Sequence, residues 1–213
     1  MRPSSVITLA ALLLAAGCLK QPPAPGVGHY VDRDGLTGRV QRVLFLPLTS
    51  DSASPAPADA MTRTLGPALQ ARQIFSITTL PPEPGIDLPA LDPRRPVAMK
   101  DLMRLRQATG CDAVILGAIA GFQPYPHTQT GLLLRMIDAR DGRVLWAVDH
   151  FWSAADKDVQ ARMEEYFRVR RGPDYNPVEW RLAMVSPTAF QEFVAWEVAA
   201  TLPGNSPAAA PAK

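Results

Sequence analysis

From Asp112 to Trp152 the chain reads DAVILGAIAGFQPYPHTQTGLLLRMIDARDGRVLWAVDHFW. Three apolar runs stand out, each short enough for a strand and bounded by turn residues. Asp112–Phe122 is strongly apolar, and Gly117 and Gly121 within it allow a bulge or close packing. Gly131–Ile137 and Arg143–Trp152 flank Asp138-Ala139-Arg140-Asp141-Gly142, and Asp-Gly between two apolar runs is a hairpin signal, here with a longer loop. The two-residue period of a strand puts Val144, Trp146, Val148, His150 and Trp152 on one face, and Leu145, Ala147, Asp149 and Phe151 on the other. Three consecutive strands therefore form the heart of a sheet.

Upstream, Gln41–Leu48 (QRVLFLPL) reads as a buried strand with Pro47 near its end. Met61, Leu65 and Leu69 recur at helical spacing, with Gly66-Pro67 expected to kink or weaken that helix. Ile74–Leu80 reads as another strand. Pro81–Pro96 is a proline-rich excursion. A second helix follows, with Met99, Leu102, Met103 and Leu105 facing inward and Gly110 as its stop. Downstream, Asp156 caps a helix carrying Val159, Met163, Tyr166 and Phe167. Ser186-Pro187 starts another, with Phe190, Phe193, Val194 and Val198 as its buried face. The order β-α-β-α-β-β-β-α-α predicts one α/β sandwich domain over 41–202, a mixed sheet of about five strands with helices packed on it. No internal repeat is visible.

The first residues read MRPSSVITLAALLLAAGC. Arg2 supplies a positive start, and Val6–Ala16 is an apolar stretch too short to span a bilayer as a mature helix. Ala15-Ala16-Gly17-Cys18 resembles the bacterial lipobox, with Ala15 where Leu is commoner. That resemblance implies lipid transfer to the Cys18 thiol, cleavage between Gly17 and Cys18, and acylation of the new amine with a palmitate-type chain. Residues 1–17 are then a lipoprotein signal peptide. Two or three chains anchor stably where one binds marginally. Leu19 in place of Asp lacks the inner-membrane retention signal of enteric bacteria, so the expected site is the outer membrane, facing the periplasm. Residues 18–40 are expected to be a lipidated Cys and a flexible Pro/Gly tether, and 203–213 a disordered tail.

Composition narrows the function. The 22 basic and 20 acidic residues give a net charge of +2, without the basic stripe that nucleic acid requires. Cys111, left alone once Cys18 is lipidated, reads as a buried hydrophobe. His29, His127 and His150 are isolated, and no His/Cys spacing offers a metal site. Asp149 and His150 point to opposite faces of a strand and do not pair. No Gly-x-Ser-x-Gly elbow is present, and Gly26-Val27-Gly28 lacks the strand and helix of a nucleotide loop. Neither a catalytic residue nor a cofactor is expected. Glu164 and Glu165 read as a solvated helix face. Arg168, Arg170 and Arg171 complement a helix dipole or meet anionic lipid or glycan.

Two stretches carry a wider likeness: ATGCDAVILGAIAGF, Ala108–Phe122, and LLLRMIDARDGRVLWAVDHFW, Leu132–Trp152. They resemble a group of bacterial envelope domains. The group includes the amino-terminal domain of the Tol-system translocation protein and the lipoproteins of curli and polysaccharide export. Lipoproteins that activate penicillin-binding proteins share the broad fold. The motifs are structural, with Gly142 serving a turn and Val144, Leu145 and Trp146 filling the sheet, so the resemblance implies fold and compartment and transfers no active site. The chain departs from the group in Pro81–Pro96 and in the helix from Asp156 to Arg171, and it lacks the spanning hairpins a curli exporter needs.

The aromatic residues offer the functional lead. Phe122-Gln-Pro-Tyr-Pro-His127, with Tyr125, is one stiff loop, and Tyr175-Asn-Pro-Val-Glu-Trp180 is another. Such loops suit contacts with a protein partner or a sugar, or they pack on their own domain as lids. The expectation is a non-enzymatic, lipid-anchored protein that binds protein partners in an envelope assembly or export complex, as a monomer or a homo-oligomer. The alternatives are a regulator of a peptidoglycan-synthesising enzyme and a hydrolase with an unfamiliar site.

Overall fold

The computed structural model describes residues 26–36, 38–52, 54–79, 91–174 and 176–204. The expected signal peptide, Gly17, Cys18 and the residues up to 25 lie outside these, as does the tail from 205 onward.

The three apolar runs form the strands β5 (Ala113–Gln123), β6 (Gln129–Asp138) and β7 (Val144–Ser153), paired antiparallel in sequence order. Gly142 closes the β6–β7 turn at φ 76°, where a side chain would be strained, and its N–H donates to the Asp138 carbonyl at 3.0 Å. Gly117 answers a different need. A Cβ there would stand 2.4 Å from Leu134 Cδ2 and 2.8 Å from the Leu133 carbonyl oxygen, so only glycine lets the two strands and Leu48 meet.

Upstream lie β1 (His29–Val31), β2 (Arg42–Phe45), β3 (Thr49–Ser50) and β4 (Ser76–Thr79). The seven strands form one mixed sheet in the order β1-β7-β6-β5-β2-β4, with β3 also beside β5. β2 is parallel to both β4 and β5, while β1 is antiparallel to β7. Of the expected strand Gln41–Leu48 only Arg42–Phe45 is strand; it ends before Pro47, which has no N–H for the ladder, and the chain returns to β5 as β3 just beyond Leu48. After the break the Leu48 N–H donates to Thr62 Oγ1 at 3.0 Å.

The helices are α1 (Arg33–Leu36), α2 (Ala56–Gln70), α3 (Met99–Thr109), α4 (Lys157–Arg171), α5 (Pro177–Ala183) and α6 (Pro187–Ala200). Asp156 caps α4 by accepting from the Asp158 N–H, and Ser186 caps α6 by accepting from the Ala189 N–H. α2, α4 and α6 cover one face of the sheet. Met61, Leu65 and Leu69, then Val159, Met163 and Tyr166, then Phe190, Phe193, Val194 and Val198 pack there on Phe45, Ile115, Trp146, Val148 and Trp152. α3 lies on the other face, where Leu102 and Leu105 meet Leu44, Val114, Leu116 and the buried Cys111. The fold is the expected α/β sandwich, with seven strands where about five were expected; the two additional strands have only three and two residues.

Four local expectations change. The tether over 18–40 does not extend past Gly26. Val27, Leu36 and Val40 are buried, and β1 pairs with β7. Apolar residues spaced through a Gly-rich segment gave it a sheet edge to join. Leu145 is buried with Trp146, because the register shifts between Met136 and Ile137 and a bulge there turns consecutive residues toward the same core. Met99 and Met103 are exposed, since a lone helix on a sheet buries only the narrow Leu102–Leu105 stripe. α2 continues a turn past Pro67, because the one backbone bond lost near its end is outweighed by burial of Met61, Leu65 and Leu69.

Candidate functional site

Beyond α3 the second face of the sheet carries no helix among the described residues. Strand register identifies what it presents. Tyr30, Ala147, Arg135 and Leu116 lie in one row, Asp149, Leu133 and Ala118 in the next, and Phe151, Gly131 and Ala120 in the third. Tyr30 is 54% exposed and Phe151 52%. The Phe151 ring lies over two glycines, its atoms 3.3 Å from where a Gly131 Cβ would stand and 3.5 Å from the Gly121 position. A flat aromatic surface results, with Leu133 and Ala147 half-buried beside it and one charge of each sign, Arg135 and Asp149.

The β5–β6 loop lies at the end of these strands. The Gln123 side chain donates to the Tyr125 carbonyl at 2.6 Å and accepts from Gln129 Nε2 at 2.6 Å, and Thr128 Oγ1 donates to the Pro124 carbonyl at 3.3 Å. The loop is braced by its own polar side chains and projects Tyr125, which is 68% exposed. Phe122 is half-buried against the main core, a packing residue more than a contact. The second aromatic segment is not a loop. Asn176 accepts from the Val178 N–H at 3.0 Å and starts α5, and Trp180 sits half-buried on that helix with the Arg181 guanidinium 5.6 Å over its ring. Asn-Pro is the capping signature that marks it. Tyr175 lies outside the described residues. Tyr125 and Trp180 therefore belong to different layers, one at a sheet end and the other in the helical layer.

A charged cluster that sequence reading missed lies beneath the helices. Glu197 is 3% exposed yet accepts from Trp152 Nε1 at 2.7 Å and from Arg162 Nε at 2.6 Å, with Arg162 Nη2 at 3.3 Å. One turn further along α6, Thr201 Oγ1 accepts from Trp146 Nε1 at 2.8 Å. Both strand tryptophans thus find the polar partner their indoles need. The signal was present in the sequence. Glu197 follows Phe190, Phe193 and Val194 at the next position of the same helical stripe, where an apolar residue is expected. His150 stands edge-on to Trp152 at 4.6 Å, and burial, helped by the Arg162 charge, lowers its pKa against the opposing Glu197 and Asp149 carboxylates. Asp149 and His150 do fall on opposite faces, as their spacing requires.

Asp112, in the Gly-Cys-Asp motif, serves architecture. Its carboxylate accepts from the Gln41 and Arg42 N–H groups at 3.1 Å each and from Arg140 Nη2 at 3.0 Å. Burial alone would raise its pKa, but these donors and the Arg140 charge together hold it below the usual range. Among the described residues no group of three or more His, Cys, Asp or Glu is placed to hold a metal ion, and no helix is long and apolar enough to cross a membrane. A cavity of about 330 Å³ lies between β1 and the end of α6, with His29 and Arg33 as its charged or titratable lining.

No protein-family model matches the chain, and no curated protein matches it in sequence. Among solved structures it is similar to the PelC dodecamer from Paraburkholderia phytofirmans, at 15% identity and a TM-score of 0.45, over 60% of this chain and 79% of that one. It is also similar to lipoprotein GNA1162 from Neisseria meningitidis, at 18% identity and a TM-score of 0.40, over 53% and 79% of the two chains. LpoB of E. coli gives 13% identity and a TM-score of 0.34, over 72% and 83%. At these identities and scores the likenesses assign neither a site nor an activity.

Proposed function

We propose that the chain is a non-enzymatic, lipid-anchored protein of the bacterial outer membrane whose periplasmic α/β domain binds a protein partner in envelope assembly or export. Lipid on Cys18 holds it to the membrane, and the domain acts by contact. The observation that carries the binding role is the sheet face that no described helix covers, where Tyr30 and Phe151 stand beside half-buried Leu133 and Ala147. Rigid aromatics on a scaffold that does not need them for its own core are the side chains from which interface hot spots are made. The same arrangement, with no cluster of nucleophile, base and orienting group among the described residues, favours binding over turnover.

Two measurements test this. Cys18→Ser should leave the signal segment uncut and keep the protein out of the outer-membrane fraction; normal processing with unchanged outer-membrane retention would remove the anchor from the account. A photoreactive residue at Phe151 should crosslink an envelope protein in the native cell, while one at Arg104 on exposed α3 should not. Equal labelling from both positions would sink the binding face, and a penicillin-binding protein as the adduct would assign the role of synthase regulator.

A further inference from the structure

Every exposed valine or leucine among the described residues lies at one corner of the helical layer: Val169 in the last turns of α4, Val178 and Leu182 on α5, and Val185 just beyond it. Val178, Leu182 and Val185 are spaced four and three apart, so they form one outward stripe, with Leu182 63% exposed. The inward side of α5 is already occupied, for Ala183 is buried and Met184 packs on the core. Isolated apolar residues at a surface need no explanation, but a helical stripe of them marks a contact. Arg168 and Arg170 flank Val169 along α4 and Arg181 precedes Leu182 on α5, while Trp180, two residues from Val178 and from Leu182, lies on the half-buried inward side with Ala183 and Met184. Two of these cations have acidic neighbours, Glu165 for Arg168 and Glu192 for Arg170, so apolar burial and not net charge has to drive the contact.

We propose that this α5 stripe rests on the lipid bilayer that holds the anchor. The inference depends on the reading of Cys18 as the lipidated residue. Aliphatic side chains entering the acyl boundary, with arginine at headgroup level, match the chemistry of such a surface. Chain length supports it too. Gly26 lies against the Arg162 guanidinium of α4, where a Cβ would be 3.2 Å away. From Cys18 to Gly26 the chain reaches about 28 Å at full extension, and Val169 lies about 10 Å further along α4. The corner is therefore within reach of the bilayer. A stripe this small binds lipid weakly alone and acts as the second of two signals, after the acyl chains. Its effect is orientation: α5 belongs to the helical layer, so seating it on lipid turns the open Tyr30–Phe151 face toward the periplasm.

The test uses the mature, lipidated full chain on vesicles of phosphatidylethanolamine and phosphatidylglycerol, some carrying brominated acyl chains. An environment-sensitive fluorophore is placed through Leu182→Cys, through Val178→Cys as a second variant, or through Phe151→Cys on the open face; Cys111 is buried and stays unlabelled. Flotation with the vesicles, with a blue shift and bromine quenching at positions 182 and 178 but not 151, is the expected result. Flotation without quenching at 182 and 178 overturns the bilayer contact and leaves the anchor standing. Failure to float removes the anchor and this contact together. A blue shift that grows with protein concentration and ignores bromine assigns the stripe to a second copy of the chain and overturns the bilayer contact.

Discussion

The same three long strands, β5, β6 and β7, build both faces of the sheet, yet the faces differ in nearly every physical respect. On one, Trp146, Val148 and Trp152 lie under α4 and α6, fully buried, with the indoles hydrogen-bonded to Glu197 on α6 and to Thr201 just past its end. On the other, Ala147, Asp149 and Phe151 alternate with them along β7 and remain half-buried or exposed. The helical face has to pair the polar groups it hides and pairs most of them, with an ion pair and two indole bonds among its apolar side chains, while Thr130 Oγ1 is buried there without a partner. The open face has no such requirement and carries aromatic surface that contributes little to folding. Stability resides on one side of the sheet, and recognition is expected on the other.

Unequal losses on the two sides should expose this division. Phe193→Ala, under α6, should lower stability by about 4 kcal/mol in urea denaturation, from lost transfer energy and a cavity. Phe151→Ala on the open face should change it by less than about 1 kcal/mol. Comparable losses would mean that both faces are packed.

Next in size is the buried pair. Glu197→Ala strands the Arg162 guanidinium and the Trp152 indole, and should cost about 3 kcal/mol. Replacing both partners, with Arg162→Met and Glu197→Leu together, should recover most of that loss in the same assay. If the double variant is no better than the single one, the charge was not the burdened element.

At the rim where the faces meet, Asp112→Asn should cost about 2 kcal/mol near neutral pH, since three donors lose their carboxylate. The Asp112 pKa is held below its unfolded value, which is about 3.9. Its contribution is therefore full above that value and disappears as pH falls through the folded one. The parent and variant stability curves should converge in acid, and a gap that stays constant with pH would count against this assignment. The smallest effect sharpens the reading of α3: Met103→Gln should stay within about 0.5 kcal/mol of the parent, whereas a loss as large as that of a core residue would restore Met103 to the inward face.

Much of this was legible in the sequence. The β5–β7 meander, the Asp156 and Ser186 caps and the buried stripes of α2, α4 and α6 follow from periodicity and capping chemistry, which act within a few residues. The segment from Gly26 to Val40 is not legible as folded because its glycines, following Pro22, Pro23 and Pro25, signal a linker locally, while the edge of β7 that captures β1 lies more than a hundred residues away. The start of α5 is marked in the sequence only by the capping signature Asn176-Pro177, in a segment whose aromatic and proline content otherwise reads as a loop. Of the candidate contacts, Tyr125 and Trp180 are surface residues of different layers, and Phe122 turns toward the core. Phe151 and Tyr30 emerged only when register aligned them.

By itself the sequence determined the class of fold, the principal strands, the caps of two helices, and the lipobox-like Cys18 context on which the anchoring expectation stands. All of these depend on neighbours along the chain. The tertiary structure alone decided which side of the sheet the helices cover, that Glu197 meets Arg162 and Trp152, that β1 closes one edge, and that the exposed aliphatics gather at α5. Those are contacts between residues far apart in sequence. Period and propensity carry no information about which distant partner removes a given side chain from water.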